Sequence, residues 1–286
     1  MAEHWTIGRL LDWTTDYLKK YAIEHPHLEA EILLSHTLKV PRINLYTDYE
    51  RVISPEKLAE FKKLILRRSQ REPLPYITGK AWFMSLEFEV SPEVLIPRPE
   101  TEKLVEVVIE LAKTSNLELL ADIGTGSGCI AVSLAKYLPH LFIYATDISE
   151  KAIEIARANA EKHQVADKIN FLKGNLLEPL SKEKFDLIVS NPPYVKTAEL
   201  KELQPEIKKY EPKKALLGGE EGLDYYQKII DQAKDYLKTN GYLVFEVSAG
   251  QADKVSDLIQ ETKLYKQPKK VKDYSGIERV VIAQRL

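Results

Sequence analysis

Helical and extended segments alternate from about residue 100 to the end of the chain, which predicts an α/β fold: a parallel sheet covered by helices on both faces. Two further observations place smaller elements ahead of it. From Ile7 to about Arg71 the pattern is helical throughout, and the stretch that follows is rich in proline with one short alternating run. The expected organisation is a small helical domain over 1–72, a linker with a β-hairpin over 73–98, and a larger α/β domain over 99–286.

In the helical domain apolar residues recur three and four apart, as in Ile7, Leu10, Leu11, Trp13 and Tyr17, and again in Leu28, Ile32, Leu33 and Leu38. Ser54-Pro55-Glu56 reads as an N-cap with proline at the first helical position, and Leu58, Phe61, Leu64 and Ile65 form an apolar stripe behind it. The other face of that helix is basic, with Lys57, Lys62, Lys63, Arg67, Arg68 and Arg71 against Glu60. It reads either as a solvated face or as a docking face for an RNA-bearing partner. Prolines 73, 75, 92 and 97 mark the linker, and Leu86-Glu87-Phe88-Glu89-Val90 alternates as a hairpin strand. Beyond it the pattern predicts a helix at 100–114, strand 118–123, helix 128–138, strand 141–146, helix 150–163 and strands near 169–172 and 185–190. A helix at 223–238, strand 242–247, helix 250–261 and closing strands around 264–268 and 278–283 complete the series. No internal repeat or low-complexity segment interrupts it.

The 286 residues are 44% hydrophobic and 29% charged, with 41 basic against 43 acidic side chains and a net charge of −2. This balance spreads no broad positive field, which argues against sequence-independent binding along a nucleic-acid backbone. Cys129 is the single cysteine, so an internal disulfide and a multi-thiolate metal site are excluded. The six histidines, at 4, 25, 27, 36, 140 and 163, stand in no metal-ligand spacing, and no metal is expected. The start Met1-Ala2-Glu3-His4-Trp5 lacks the layout of a secretory signal, and no apolar run approaches the roughly 18 residues of a spanning helix. A cytoplasmic or organelle-lumenal protein without membrane association is expected.

Ligands of a parallel sheet sit at the carboxyl ends of its strands, so the chemistry is sought there. After the first strand of the α/β domain stands Gly124-Thr125-Gly126-Ser127-Gly128, whose glycines permit a tight turn and close approach of a ligand to a helix N-terminus. The spacing G-x-G-x-G differs from the G-x-G-x-x-G of dinucleotide enzymes. Cys129 follows it, read as a small residue packed under the loop or as a thiol of lowered pKa. The next strand ends in Asp147, about 20 residues further on, where a carboxylate can accept both hydroxyls of a ribose; Asp147-Ile148-Ser149-Glu150 can also simply open a helix. After the strand at 185–190 comes Asn191-Pro192-Pro193-Tyr194. Two prolines stiffen this turn, Asn191 offers an amide that pairs with another amide or a base edge, and Tyr194 offers a flat wall.

Together these features resemble S-adenosylmethionine-dependent methyltransferases that act on planar, non-basic nitrogens. Ile96-Pro97-Arg98-Pro99-Glu100-Thr101-Glu102, Asp122 to Gly128, Asn191-Pro192-Pro193-Tyr194-Val195, Tyr210-Glu211-Pro212 and Asp273-Tyr274-Ser275-Gly276-Ile277-Glu278-Arg279 narrow the resemblance to the PrmC/HemK family, the release factor glutamine methyltransferases. The resemblance implies a Rossmann-like class I methyltransferase sheet, with residues 1–72 serving substrate recognition. It implies transfer of a methyl group from S-adenosyl-L-methionine, which leaves as S-adenosyl-L-homocysteine, to the side-chain amide nitrogen (N5) of the glutamine in the Gly-Gly-Gln (GGQ) loop of class 1 peptide chain release factors. Cofactor binding falls to Gly124, Thr125, Gly126, Ser127, Gly128, Asp147, Asn175, Leu176 and Asn191. Substrate binding falls to Asn191, Pro192, Pro193 and Tyr194, with Asn191, Pro192 and Tyr194 catalytic. Arg98, Glu100 and Glu102 begin a helix read as a capped, solvated start or as a lid over the site.

The chain departs from the pattern at Gly174-Asn175-Leu176, where many such enzymes carry an acid, and at Tyr210, where phenylalanine is frequent. The related ribosomal protein uL3 glutamine methyltransferases share the turn at 191–195 but differ after the arginine at 98. A DNA adenine-N6 methyltransferase can hold a flipped adenine in the same turn, yet the charge balance offers it no cationic groove, and DNA is not an expected partner.

Overall fold

The computed structural model describes residues 4–181 and 183–286. It divides into two compact units, one formed by Met1–Gly79 with Gln204–Tyr210 and the other by Lys80–Leu203 with Glu211–Leu286.

The first unit contains α1 (Ile7–Lys19), α2 (Pro26–Leu38), the short α3 (Asn44–Thr47), α4 (Pro55–Ser69) and the short α5 (Leu74–Thr78). Thr6 caps α1 by accepting from the Arg9 amide, and Ser54 caps α4 by accepting from the Lys57 amide ahead of Pro55. The apolar stripes meet in a core of Leu10, Leu11, Leu18, Leu33, Leu34, Leu45, Phe61 and Ile65.

The second unit opens with a hairpin of β1 (Lys80–Phe83) and β2 (Leu86–Glu89). Its turn residues Met84 and Ser85 both have positive φ, the geometry that matches strand twist in a two-residue loop. There follow α6 (Pro99–Thr114), β3 (Leu119–Ile123), α7 (Cys129–Tyr137), β4 (Phe142–Asp147), α8 (Glu150–Lys162), β5 (Ile169–Lys173) and β6 (Phe185–Ser190); α9 (Pro205–Tyr210) comes next in the chain but belongs to the first unit, and α10 (Asp224–Ala233), β7 (Leu237–Glu246), α11 (Ala252–Glu261), β8 (Lys269–Lys272) and β9 (Glu278–Gln284) complete the second. Among the described residues the main sheet has seven strands in the order β5-β4-β3-β6-β7-β9-β8. Strands β3 to β7 run parallel, β9 is antiparallel to β7, and β8 is antiparallel to β9.

Period-two alternation divides the strand side chains between two cores. Leu120, Leu187, Val189 and Val244 face a layer with Leu104, Val108, Ile130, Leu134 and Ile153, beneath which Phe83 and Phe88 of the hairpin also pack. Ala121, Ile123, Ile188, Leu243 and Phe245 face Tyr226, Ile229, Ile230, Val255 and Ile259 on the other side. The expected parallel sheet with helices on both faces is present, and it differs from expectation at one end. The strand expected at 264–268 reduces to a bridge between Tyr265 and Arg285, and the edge strand is β8. Lys269, Lys270 and Lys272 supply the charge that protects an open edge from mispairing, and the same charge removes the apolar alternation. The helix expected to reach 238 ends at Ala233, because β7 starts early and bulges: Phe185 pairs with Leu237, but Leu187 pairs with Tyr242.

The segment with α9 is grouped with the helical unit, and together with Glu29 and Glu72 it engages half of the six basic residues along and just after α4. Arg68 is buried, bonded to Glu29 and to Glu206 at 3.2 Å; Arg71 reaches Glu206 at 2.8 Å, and Arg67 pairs with Glu72 at 2.6 Å. Tyr210 donates to the Gln70 carbonyl at 2.9 Å. Burial works against the ionised Glu206 carboxyl, and Arg71 and Arg68 nevertheless hold it below its ordinary range. These arginines therefore serve the interior of their own unit. Glu206→Ala strips two guanidinium groups of a partner, and a loss of about 2 kcal/mol is expected. A urea melt checks it, with Glu199→Ala, whose pair with Lys196 is exposed, as a control that leaves the midpoint in place.

Candidate active site

The chain lays down β3, β4 and β5 outward in one direction and then returns to the other side of β3 with β6. The loops after β3 and β6 therefore part in opposite directions and leave a crevice at the carboxyl edge, the usual ligand position in such sheets. Ser190 closes its floor by donating to the Ile123 carbonyl at 2.7 Å.

Gly124, Gly126 and Gly128 all have positive φ. A Cβ on Gly128 would lie 2.9 Å from the Ala156 Cβ, so this glycine lets α8 pack against the loop, whereas a Cβ on Gly124 would meet open space. Thr125 is buried and donates to Asp122 at 2.7 Å, and Ser127 is buried under the loop. Asn159 holds this loop in place. Buried on α8, its amide donates to the Ser127 carbonyl at 2.9 Å and to the Glu89 carbonyl at 3.0 Å, while its oxygen accepts from the Glu89 amide at 2.7 Å. The hairpin, α8 and the glycine loop thus share one side chain. Burial pushes the Cys129 thiol up to about 12, so it is an inert packing group.

Asp147 ends β4 beside the loop. One carboxyl oxygen accepts from the Gly126 amide and the other from the Ser149 amide, both at 2.9 Å, which leaves further lone pairs on each. It is therefore both a helix-opening group and a loop partner. Burial raises its pKa against those hydrogen bonds. Ile148 next to it is 60% exposed. The turn after β5 comes alongside, with the Gly174 amide donating to the Asp147 carbonyl at 2.9 Å. Asn175 itself is exposed and bonded to Glu178 at 2.7 Å, and Leu176 accepts at its carbonyl from Thr146.

The Asn191-Pro192-Pro193-Tyr194 turn leaves β6, the neighbour of β3. The Asn191 amide nitrogen donates to the Thr101 hydroxyl at 3.2 Å. Pro192 is buried, while Pro193 and Tyr194 are half-buried, and burial pushes the Tyr194 phenol up to about 12, so the ring stays neutral. A second glycine-rich loop braces this turn from behind. A Cβ on Gly218 would lie 2.5 Å from the Pro193 carbonyl oxygen, and one on Gly222 would lie 2.3 Å from that of Tyr194. The Val195 amide donates to Leu216, and Gln251 donates to the Tyr194 carbonyl at 3.1 Å.

Of the residues at the start of α6, Arg98 pairs with buried Glu211 at 2.6 Å, and Glu102 accepts from the Met84 amide in the hairpin turn at 2.6 Å. Glu100 is exposed, and buried Thr101 meets Asn191. Two buried carboxyls here escape the sequence reading as functional groups. Burial raises Asp122 to about 7 against the Thr125 hydroxyl, and it raises Glu246, at the end of β7, to about 7 against Thr101, Arg279 and Asn191. One oxygen of each has no hydrogen-bond partner. An acid at the carboxyl end of an apolar strand, as in Tyr242 to Val247, is the signal that marks Glu246. An asparagine on the apolar stripe Ile153, Ala156, Ala160 is the one that marks Asn159.

The fold is that of the Rossmann-like class I methyltransferases. A methyltransferase from Pyrococcus furiosus superposes with a TM-score of 0.50 at 21% identity, over 71% of this chain and 90% of that one. The PrmC N-terminal domain family matches residues 9–79, and the methyltransferase small domain family matches residues 101–207. The chain belongs to the release factor glutamine methyltransferase family. It is 45% identical to the Geobacter sulfurreducens release factor glutamine methyltransferase over 98% of this chain and 96% of the relative, and 41% identical to that of Moorella thermoacetica over 98% and 99%. Among the described residues no helix is long and apolar enough to cross a membrane.

Asp122 and Glu246 make stability depend on pH. Each has its folded pKa raised, from 3.8 and 4.5 to about 7, so the folded state binds more protons than the unfolded state between those values. Their contribution is fully present below about 4 and is lost as the pH rises through 7. At about 1.4 kcal/mol per unit the loss reaches several kcal/mol for the pair. Urea midpoints measured from pH 5 to 8 are expected to fall, and Asp122→Asn or Glu246→Gln is expected to flatten the decline.

Proposed function

We propose that this protein transfers a methyl group from S-adenosyl-L-methionine to the side-chain amide nitrogen (N5) of the glutamine in the Gly-Gly-Gln loop of class 1 peptide chain release factors. The observation that carries the reading is the Asn191 amide, set at the end of β6 beside the glycine loop with its nitrogen engaged by Thr101, so that its oxygen is left as an acceptor. A primary amide offers two N–H groups, and an acceptor pair built from an asparagine oxygen and a stiff proline carbonyl matches them.

The crevice fits the cofactor. Open space above Gly124 admits a ligand against the backbone, the unpartnered oxygen of Asp122 suits a cationic amino group, and the free lone pairs of Asp147 suit two ribose hydroxyls. The exposed Ile148 offers an apolar face to a flat base. Gly126, Ser127 and Gly128 shape the same cradle, with Asn175 and Leu176 at its far side. The bound cofactor supplies an electrophilic sulfonium methyl and leaves as S-adenosyl-L-homocysteine.

The chain's own task is orientation, because an amide nitrogen is a weak nucleophile whose lone pair is delocalised. Asn191 and the Pro192 carbonyl accept the two N–H bonds of the glutamine and turn the nitrogen face toward the methyl. Pro193 keeps the turn rigid, and Tyr194 packs against the amide plane. No catalytic base is required, since the nitrogen becomes acidic once alkylated and its proton passes to water. The reading places the enzyme in the cytoplasm and leaves DNA outside its substrates.

Labelled S-adenosyl-L-methionine offered with a release factor, ribosomal protein uL3 or duplex DNA, followed by mass mapping, tests the assignment. Label on the Gly-Gly-Gln glutamine is expected; label only in uL3 or in adenine would replace the substrate. Asn191→Ala is expected to reduce kcat on the order of 100-fold or more with cofactor Kd within about twofold. Asp147→Ala is expected to weaken cofactor binding about tenfold or more, read by calorimetry.

A further inference from the structure

An asparagine amide has two faces of nearly equal shape, and only one presents an acceptor to an incoming N–H group. Something behind Asn191 must choose between them. Thr101 alone cannot, because a hydroxyl both donates and accepts. Behind Thr101 lies Glu246, buried, at the end of the strand next to β6, with Ser190 and Phe245 in register just before the two residues. The Thr101 hydroxyl and the Asn191 amide lie near enough to its carboxyl to favour the charged form, the Thr101 hydroxyl that accepts from Asn191 still has its own proton to give, and one carboxyl oxygen is buried without a partner.

We propose that Glu246 is the positioning residue of the site: as a carboxylate it accepts from Thr101, which commits the Thr101 oxygen to accept from the Asn191 nitrogen and so turns the Asn191 oxygen toward the substrate amide. An ionised carboxyl can only accept, so the polarity of the whole relay is fixed from its buried end. A protonated carboxyl can donate, and the relay then has a second arrangement in which the Asn191 nitrogen faces the substrate and repels its N–H groups. The proposal rests on the function proposed above, and it also makes a claim about the free protein.

The groups that face Glu246 come from every element around it. Arg279 at the start of β9 favours the carboxylate, while Glu100 at the start of α6 disfavours it. The Tyr194 and Tyr226 phenols and the Cys129 thiol are kept neutral by burial near it, and Tyr226 donates to the Glu246 backbone carbonyl at 2.8 Å. Arg279 is held in turn by Asp273 at 3.1 Å, which gives the Asp273 to Arg279 run a role at the site. Burial places the change of charge of Glu246 near neutral pH.

The experiment uses the full chain. The side-chain amide resonances of Asn191, assigned through the Asn191→Ala spectrum, are followed by NMR from pH 5.5 to 8.5, and kcat and the KM for each substrate are measured over the same range. In the wild type the Asn191 resonances are expected to shift with a midpoint near 7, and kcat to rise along the same curve while the cofactor KM stays level. In Glu246→Gln the resonances are expected to stay flat and kcat to fall on the order of tenfold or more at pH 8, with its pH dependence lost. Thr101→Val, which keeps the charge and breaks the relay, is expected to lower kcat likewise, and Thr101→Ser to restore it. Asn191 resonances that ignore pH in the wild type, or a Glu246→Gln or Thr101→Val enzyme with unchanged kcat, would overturn the proposal. A wild type that shows the Asn191 shift but methylates no release factor would overturn the assigned substrate and leave the positioning role standing.

Discussion

Polar groups buried at the carboxyl edge of the sheet must find partners or destabilise the fold, and most of this domain's local architecture answers that requirement. Ser190 donates to Ile123, Thr125 to Asp122, Gln251 to Tyr194, and the Gly126 amide to Asp147. Each bond joins the end of one strand to a neighbouring element, so the functional loops are fixed by the same contacts that satisfy them. Where satisfaction stops is informative. Single oxygens of Asp122, Glu211 and Glu246 remain buried and unpartnered, and all three carboxyls have raised pKa values because burial outweighs their remaining contacts. Asp122 lies under the glycine loop and Glu246 ends the strand beside Asn191, so two of the three sit next to the groups the proposed function uses. The fold accepts a stability cost at the edge where chemistry takes place.

The hairpin and Asn159 show how the rest of the unit supports that edge. Phe83 and Phe88 bury the hairpin under the helices, while Glu102 accepts from the Met84 amide and Tyr137 donates to the Met84 carbonyl. Asn159 then carries the hairpin's position to the glycine loop by bonding Glu89 and Ser127 at once. Gly128 sets the distance, since its missing Cβ allows α8 to approach closely. The motif at Arg98 to Glu102 has a physical sense: Arg98 neutralises Glu211, Thr101 meets Asn191, and Glu102 pins the hairpin, so three side chains at the start of one helix serve three separate structures.

The sequence reveals what depends on local pattern. The alternation of extended and helical segments gives β3 to β7, Ser54-Pro55 gives the start of α4, and the glycine loop, Asp147 and Asn191 stand at strand ends where a parallel sheet puts its ligands. It hides what depends on pairing across the chain. The edge strand β8 is written in lysines, the bulge in β7 follows from its register with β6, and half of the basic face of α4 is consumed by acids that include Glu206, far along the chain. Glu246 and Asn159 leave only a local trace, a polar residue on an apolar strand or stripe, and their partners come from elsewhere in the chain.

A buried carboxyl is a costly way to hold a side chain, and its presence behind Asn191 calls for a reason. A neutral amide or a second hydroxyl at the same place would satisfy Thr101 at lower cost, but either group both donates and accepts, and the relay would then have two arrangements of similar energy. A carboxylate removes that degeneracy. Arg279 keeps the charge tolerable, and Asp273 keeps Arg279 in place through hydrogen bonds within its own turn. The substrate groups are weak and uncharged, so the site can distinguish a reactive from an unreactive pose only by the direction of its hydrogen bonds. On that argument the energy held in Glu246 is what turns a flexible asparagine into an oriented acceptor.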